Sequence, residues 1–547
     1  MVDVEAILRL QSQAESDRRN FESLWRDVAE RVRPTSNIFQ NQIRSPGQRI
    51  NQRVFDSTAA LALERYASAL ESVISPRTQR WHKFQIPELK DNHNVQVYLD
   101  EVTDIVFNRR YNPRANFGSQ AFESYMSLGL FGNQVMFIDE DPVHGLRYKS
   151  CHIGYVWFFE NHQGIVDMVH RKRPWTARQI AQKFGTDKLP ATVKGALEKA
   201  PEATFDVLHH VGPREDFVYG RRDFRGMPIQ SCYILCEGKV VLSEGGYRSF
   251  PYAVSRCVTA PDEKYGRGPA MTIYPDIMTL NEMSKTILRA GQKTVDPPVL
   301  LTEDGLVRAF DLRAGALNYG GLNDRGEPMA KPFLNGARID IGLEMEDQRR
   351  KVINDAFLIT LFQILVETPE MTATEALIRA QEKGALLAPV MGRQQYEWQV
   401  PQIGREIDIL SRRGDIPPPP DEILEMGGLM NVEFTSPLNR LQRAEDGVGI
   451  LRTLDAINPV AQIDPTVLDS FDPDEMLRVL ADVNGAPAKI FRTRDQVKAL
   501  RENRQQQADS QRLLEAAPLI GDTVKSMTQA ANQAQNTPQI QPLPAPV

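Results

Sequence analysis

The chain has 547 residues, of which 41% are hydrophobic, 25% charged and 8% aromatic. That excludes a fully disordered, collagenous or disulfide-stapled protein and leaves room for three or four units with sizeable cores at roughly 100–200 residues per domain. Lys and Arg total 65 against 71 Asp and Glu, a net charge of −6, so no global basic field exists to hold nucleic acid tightly by counterion release.

Phe21, Leu24, Trp25, Val28 and Val32 recur at three- and four-residue spacing and stop at Arg33-Pro34, which predicts an amphipathic helix ended by proline. After a polar stretch to Arg53, Asp56 or Ser57 can cap a helix with the stripe Leu63, Tyr66, Leu70, Val73 and Ile74, closing at Ser75-Pro76. Leu99, Val102, Ile105 and Val106 predict a third helix, and Phe117, Ala121, Tyr125 and Leu128 a fourth that ends between Gly129 and Gly132. From Gln134 the pattern changes to short apolar runs at 135–138, 155–159, 165–170, 205–211, 230–235 and 240–242, which predict a mixed antiparallel sheet with a small helix over 176–184.

Helix returns after Gly268-Pro269 with the stripe Ile273, Ile277, Leu280 and Ile287, runs to about Thr294, and carries Pro275 as a kink in its first two turns. Residues 295–336 are punctuated by Pro and Gly, with strand-like pieces at 299–301 and 316–319, and read as a small α+β insertion. A second helix is expected over 337–365, so two rods, each on the order of 40 Å, carry the insertion at their far end. Thr372-Ala373-Thr374-Glu375 fits a capping box, and helix is expected to resume to about Arg413, bent near Gly384, Pro389 and Pro401. The run 417–420 is a stiff proline linker, 441–503 a smaller helical unit, and 504–547 a Gln-, Ala- and Pro-rich tail expected to be disordered. The fold class is α+β, predominantly helical.

The four cysteines, Cys151, Cys232, Cys236 and Cys257, are too sparse for a stapled secreted fold and suit a reducing compartment. Asp3, Glu5 and Arg9 stand where a signal peptide needs an apolar core, and the most apolar run, 356–366, is far short of a bilayer span, so a cytosolic protein without a membrane partner is expected. No G-x-x-x-x-G-K-[ST], G-x-S-x-G, H-E-x-x-H or paired C-x-x-C occurs, which argues against a motor, a serine hydrolase, a zinc protease and a structural zinc site. Cys232 and Cys236 would lie roughly 13 Å apart on a strand, too far for one metal ion or one disulfide, and share a face with Ile234. His152 and the pair His209-His210 are scattered among strands, and Asp139-Glu140-Asp141 before Pro142 reads as a solvated hairpin turn. Arg171-Lys172-Arg173 reads as a solvated strand end with phosphate contact as the alternative; Trp25, Trp81, Trp157 and Trp398 read as packing residues. No cofactor, no metal and no catalytic residue is expected.

Tyr265-Gly266-Arg267-Gly268-Pro269, followed by Pro275-Asp276-Ile277, Thr279-Leu280-Asn281, Lys285-Thr286-Ile287 and Asp296-Pro297-Pro298, resembles the portal, or head-to-tail connector, protein of short-tailed bacteriophages. Phe55-Asp56-Ser57-Thr58 leading to a helix that ends before Trp81, and the segment from Trp25 to Pro34, extend the resemblance over about 15–480. The resemblance implies a protomer with a wing (1–264), a first stem helix (265–294), a clip (295–336), a second stem helix (337–365), a channel loop (366–372), a kinked return (373–440) and a crown (441–503). It also implies a ring of twelve copies at one capsid vertex. Double-stranded DNA would be packaged and ejected through that ring, and the terminase large subunit, the major capsid and scaffolding proteins, and tail adaptor proteins would be its partners. The setting is the virion, with the host cytoplasm during assembly.

Ring geometry agrees with this expectation. Twelve helices side by side at about 10 Å make a ring roughly 38 Å across, leaving about 28 Å inside, where a duplex roughly 20 Å wide fits; six copies leave only about 9 Å. The expected channel-loop residues are Glu367, Thr368, Glu370 and Thr372, forming an acidic constriction with no Lys or Arg between Leu365 and Ala376. Along the second stem, Arg338, Arg349, Arg350 and Lys351 face DNA or pair with Glu344, Glu346 and Asp347 of neighbouring copies, the pairing being preferred. Asp304, Arg308, Arg313, Asn323 and Arg325 are the expected clip docking residues. The alternatives are a metal-dependent DNA-processing enzyme, for which Asp139 and Asp141 are the candidates, and a smaller tail-adaptor protein.

Overall fold

Trp25, Val28, Ala29 and Val32 are buried together along α2 (Arg19–Val32), the face that the sequence stripe marks. The computed structural model describes residues 3–36, 38–39, 53–90, 92–143, 145–187, 189–301, the isolated positions 311, 317 and 322, 325–328, 330–332, 339–360, 391–425, 430–435 and, in pieces, part of 449–510. Ahead of α2 lies α1 (Val4–Asp17), capped by the Asp3 carboxylate, which accepts from the Ala6 N–H. α3 (Thr58–Ile74), α4 (His93–Arg110) and α5 (Phe117–Phe131) join α2 in one core. α5 ends on Gly132 at φ +71°, the left-handed position that glycine takes without strain.

The strand region forms two sheets where the sequence suggests one. β2 (Asn133–Asp141) is central in a three-stranded antiparallel sheet, flanked by β3 (Gly145–Ser150) and β9 (Tyr252–Arg256). The late strand β9 returns to pair with β2, so both edges of β2 are occupied, and the strands between β3 and β9 build their own sheet. That second sheet is an antiparallel meander of β4 (Val156–Glu160), β5 (Val166–Thr176), β6 (Thr204–Pro213), β7 (Ile229–Leu235) and β8 (Val240–Tyr247). On one of its faces α6 (Ala177–Phe184) and α7 (Ala191–Lys199) bury Ile180 and Val193 against Val207 and Leu235; α6 starts at a capping box of Thr176 and Gln179. On the other face α1 lays Val4, Ile7 and Leu8 over Leu208, Cys232 and Ile234.

The expected first rod is split. α8 (Pro269–Thr272) stops at Ile273, and α9 (Tyr274–Val295) begins anew with Pro275 in its first turn, where a missing N–H costs nothing. Pro275 therefore opens α9 rather than kinking a longer helix. β10 (Val299–Leu301) and β11 (Ala330–Pro332) pair antiparallel, as befits a small insertion, and α10 (Ile339–Ala356) then packs along α9. The second rod is interrupted: α10 ends at Ala356, Leu358 takes φ +58° so that Phe357 and Ile359 on either side of it are buried, and 359–360 are helical again, while 337–338 and 361–365 lie outside the described residues. With 22 and 18 residues, α9 and α10 span about 33 and 27 Å.

Residues 391–394 are helical again, Gln395–Gln399 widen into a π turn, and Val400–Arg413 continue as α-helix. The wide turn stands directly before Pro401, which has no N–H to give the preceding turn. Gly384 and Pro389, the other expected bends, lie outside the described residues, as does the expected capping box at 372–375. The proline run 417–420 leads into a short helix, Asp421–Glu425, and β12 (Asn431–Phe434) pairs with β1 (His82–Gln85). Further on, Pro473–Asn484 is helical, and a helix over 495–508 is tied to it where Arg501 donates twice to Asp474, at 2.7 Å each. Residues 504–508 thus belong to a helix and not to a disordered tail; 511–547 lie outside the described residues.

Candidate functional site: the helix pair and its root

α9 turns Ile277, Leu280, Asn281 and Ser284 inward, and α10 turns Glu346 and Ile353 inward. The two helices approach closely at Gly342, where a Cβ would stand 2.9 Å from the Ile287 Cδ1. Ser284 donates from its hydroxyl to Glu346 at 2.6 Å, so the buried carboxylate has a partner across the pair. Arg350, one turn further along α10, donates to Glu346 at 3.0 Å, to Asp347 at 2.9 Å and to Asp56 at 3.0 Å. Arg349 donates to Asp276 on α9 at 2.5 Å.

Asp56 joins the pair to the body. It accepts from the Thr58 N–H at 2.8 Å, at the start of α3, and from Arg350 of α10. Burial opposes its ionisation, but the Thr58 hydrogen bonds and the Arg350 guanidinium outweigh that and hold its carboxyl below the usual 3.8. Beside it, the Asn281 side chain accepts from the Phe55 N–H at 2.7 Å and donates to the Arg53 carbonyl at 2.8 Å. The neighbouring segment is held as tightly: Asn133 accepts from the Gly266 N–H at 2.8 Å and donates to the Gly266 carbonyl at 3.1 Å. A Cβ on Gly132 would stand 2.4 Å from the Gly266 oxygen, and Tyr265 packs edge-on to Trp25 at 5.3 Å. The segments 53–55 and 279–281, which the sequence singles out separately, meet where α9 leaves the core, while 265–269 is fastened to the end of α5 and to α2.

Among the expected stem residues, Glu346, Arg349 and Arg350 have partners within their own chain, where pairing between copies was the expectation. The reason is their face: Glu346 and Arg350 lie one turn apart on the side of α10 that meets α9 and the start of α3. Glu344 and Lys351 are exposed, with no ion pair among the described residues, and Arg325 is exposed too. Arg338, the clip positions Asp304, Arg308, Arg313 and Asn323, and the loop positions Glu367, Thr368, Glu370 and Thr372 lie outside the described residues, as does most of the strand-like piece 316–319.

The acidic triplet is not a turn. Asp139, Glu140 and Asp141 are the last residues of β2, paired with Arg147, Leu146 and Gly145. Burial pushes the Asp139 carboxyl up, against the pull of Lys183. Among the described residues no three or more His, Cys, Asp or Glu side chains are grouped to hold a metal. The basic triplet is not a strand end either, because β5 runs on to Thr176; Lys172 reaches Glu15 at 3.0 Å while Arg171 and Arg173 point to the opposite face. His210 contacts His170 at 2.8 Å, and His209, on the other face of β6, stands between Tyr252 and Ser231 at 2.9 and 3.0 Å. Cys232 is buried as a free thiol, and burial pushes it up to about 12. No helix among the described residues is long and apolar enough to cross a membrane.

Sequence reasoning missed the partners that cross long stretches of chain, such as Asp56 with Arg350 and Asn133 with Gly266. Asp56 was legible as a cap, but nothing local marks which cation it meets.

A family model described as bacteriophage head to tail connecting protein matches residues 4–491. The portal protein of Salmonella phage epsilon15 is 26% identical over 535 residues, covering 96% of this chain and 95% of that protein. The probable portal protein of Bordetella phage BPP-1 is 28% identical over 545 residues, with 96% and 95% covered. Among solved structures, a chain from the neck of an empty GTA particle aligns at a TM-score of 0.36 and 12% identity, covering 77% of this chain and 94% of that one. With a match running from α1 past the helix Pro473–Asn484, over most of the sequence, the chain belongs to the family of bacteriophage head to tail connecting proteins.

Proposed function

We propose that the chain is a portal subunit of a short-tailed phage, twelve copies of which close a ring at one capsid vertex through which double-stranded DNA is packaged and ejected. In this reading α9 and α10 are the stem, 295–336 the clip that docks the terminase large subunit and later the tail adaptor proteins, 366–372 the channel loop, and 441–503 the crown. The wing meets the major capsid and scaffolding proteins. The subunit acts without catalysis, and a separate ATPase supplies the work.

The observation that carries this reading is the apolar surface left open along the helix pair. Met278 and Leu288 on α9, and Ile341, Leu343, Met345 and Val352 on α10, are exposed in the single chain. Apolar side chains left exposed in number on one helix pair mark an interface, and a heterologous interface that repeats by a fixed rotation closes into a ring. A net charge of −6 suits a conduit that must release DNA rather than grip it. End-on electron-microscope views of the purified protein test the proposal: twelve-fold rings with an open centre are expected, and a stable single-copy particle under assembly conditions overturns it. Replacing Glu367 and Glu370 by Lys should slow DNA passage, most at low salt; unchanged passage removes the acidic constriction.

A further inference from the structure

The two sheets face each other across a cavity of about 150 Å³, far more than one water needs. One wall is the five-stranded sheet: Arg171, Arg173 and Trp175 alternate along β5, and Val207 and His209 of β6 and Tyr233 of β7 stand in register beside them. The other wall is Phe137 and Asp139 of β2 with their cross-strand partners Lys149 and Arg147 of β3. Lys183 of α6 closes one side, its ammonium donating to the Tyr233 hydroxyl at 2.8 Å.

Five cationic side chains therefore line a cavity with a single carboxylate. Arg147, Lys149 and Lys183 are exposed at its opening and Arg171 and Arg173 are half-buried, and none of the five is within ion-pair distance of a carboxylate among the described residues, whereas the buried Arg110, Arg256 and Arg405 all are. Their contacts are with rings instead: Arg171 lies 5.7 Å from the Phe137 centroid, Arg173 5.6 Å from Trp175, and Lys183 4.2 Å from Tyr233. His209 adds no further positive charge, since burial and then Arg171 and Lys183 keep it neutral, stacked on Tyr233 at 4.0 Å. The uncompensated field is visible in Lys149, which desolvation and then Arg171 and Arg173 push down to about 8. A chain of net charge −6 that gathers five cations around one cavity has left space for an anion.

We propose that this cavity binds a phosphate-type oxyanion between the guanidinium groups of Arg171 and Arg173. The two arginines stand about 6.6 Å apart along one strand face, each with planar donors suited to phosphate oxygens, and Lys149, Arg147 and Lys183 add point charges around the opening. The phosphate can belong to a small free compound or to a nucleic acid. The ion ties β2 and β3 to β5, so it stabilises the packing of one sheet on the other.

Calorimetric titration of the full chain with inorganic pyrophosphate, in a buffer free of phosphate and sulfate, tests this. One saturable site per chain and a raised melting temperature are expected. Arg173→Gln should weaken binding by about tenfold or more, and Lys149→Met, at the exposed rim where folding is not at stake, by about threefold or more. Asp139→Asn removes the one opposing charge and should tighten binding by about threefold, an effect a purely structural role would not produce. Lys239→Gln, far from the cavity, should change nothing. A blunt duplex without terminal phosphates that displaces pyrophosphate assigns the phosphate to nucleic acid; failure to displace it assigns the site to a free phosphate compound. No saturable binding at millimolar pyrophosphate, or unaltered affinity in folded Lys149→Met and Asp139→Asn proteins, overturns the proposal.

Discussion

In the core of the body the fully buried arginines Arg110 and Arg18 have partners, while along the helix pair apolar groups face solvent. Arg110 and Glu406 are both fully buried and meet at 2.5 Å, and Tyr148 donates to the same carboxylate at 2.5 Å. Arg18, equally buried, donates to the carbonyls of Ile153, Gly154 and Val156 and lies 3.9 Å from the Trp157 ring. Against this, Leu288 is 56% exposed and Val295 87% exposed at the far end of α9. The polar contacts of the helix pair with the body concentrate at its root, where Asp56, Asn281 and Arg350 fasten it.

Acid should break the body by the largest margin. Burial holds His82, His170 and His209 well below their usual 6.5, and His152 and His210 at about 4. The unfolded chain therefore binds more protons than the folded one between those limits, so stability falls as pH drops through 6.5 and the loss from His152 and His210 is complete near 4. Each of those two contributes on the order of 3 kcal/mol. Amide exchange in β6 and β7 should rise over that window, and flat protection would remove the histidine account.

Glu406→Gln comes next. It leaves Arg110 buried without its counter-charge and should cost about 3–5 kcal/mol in urea unfolding of the body, while ring assembly of whatever remains folded is retained. Asp56→Asn should cost less, roughly 1 kcal/mol, by weakening both the cap of α3 and the hold on Arg350, with faster exchange along α10 as its readout. The wild-type contribution of Asp56 is present at neutral pH and should be lost only as pH falls below 3.8, later than the histidine window. Smallest for the single chain is Leu343→Lys with Met345→Lys: within about 0.5 kcal/mol of wild type, because both side chains already face solvent, yet with ring assembly abolished. Assembly that survives the double change would move the interface off the helix pair.

The elements that were legible in the sequence are those with a strong local period. The stripe of α2, the span of α5 and the strands β6 and β7 appear where apolar spacing puts them, while β5 starts there but runs on to Thr176. The acidic and basic triplets were misplaced for one shared reason: charge clusters signal solvent unless tertiary contacts bring an opposite face to them, and here the two sheets bring Asp139, Arg171 and Arg173 to one cavity. The stem arginines illustrate the same limit, since Arg350 finds Asp56 across 294 residues of chain.

Periodicity, caps and prolines act within a turn or two of the backbone, so the residue order by itself determined the helical or strand character of the strongly periodic segments. Which strands share a sheet, where α10 stops to bury Phe357, which carboxylate meets which guanidinium, and that five cations surround one cavity were decided only on folding. Those features depend on contacts between distant segments, whose energies no local pattern encodes.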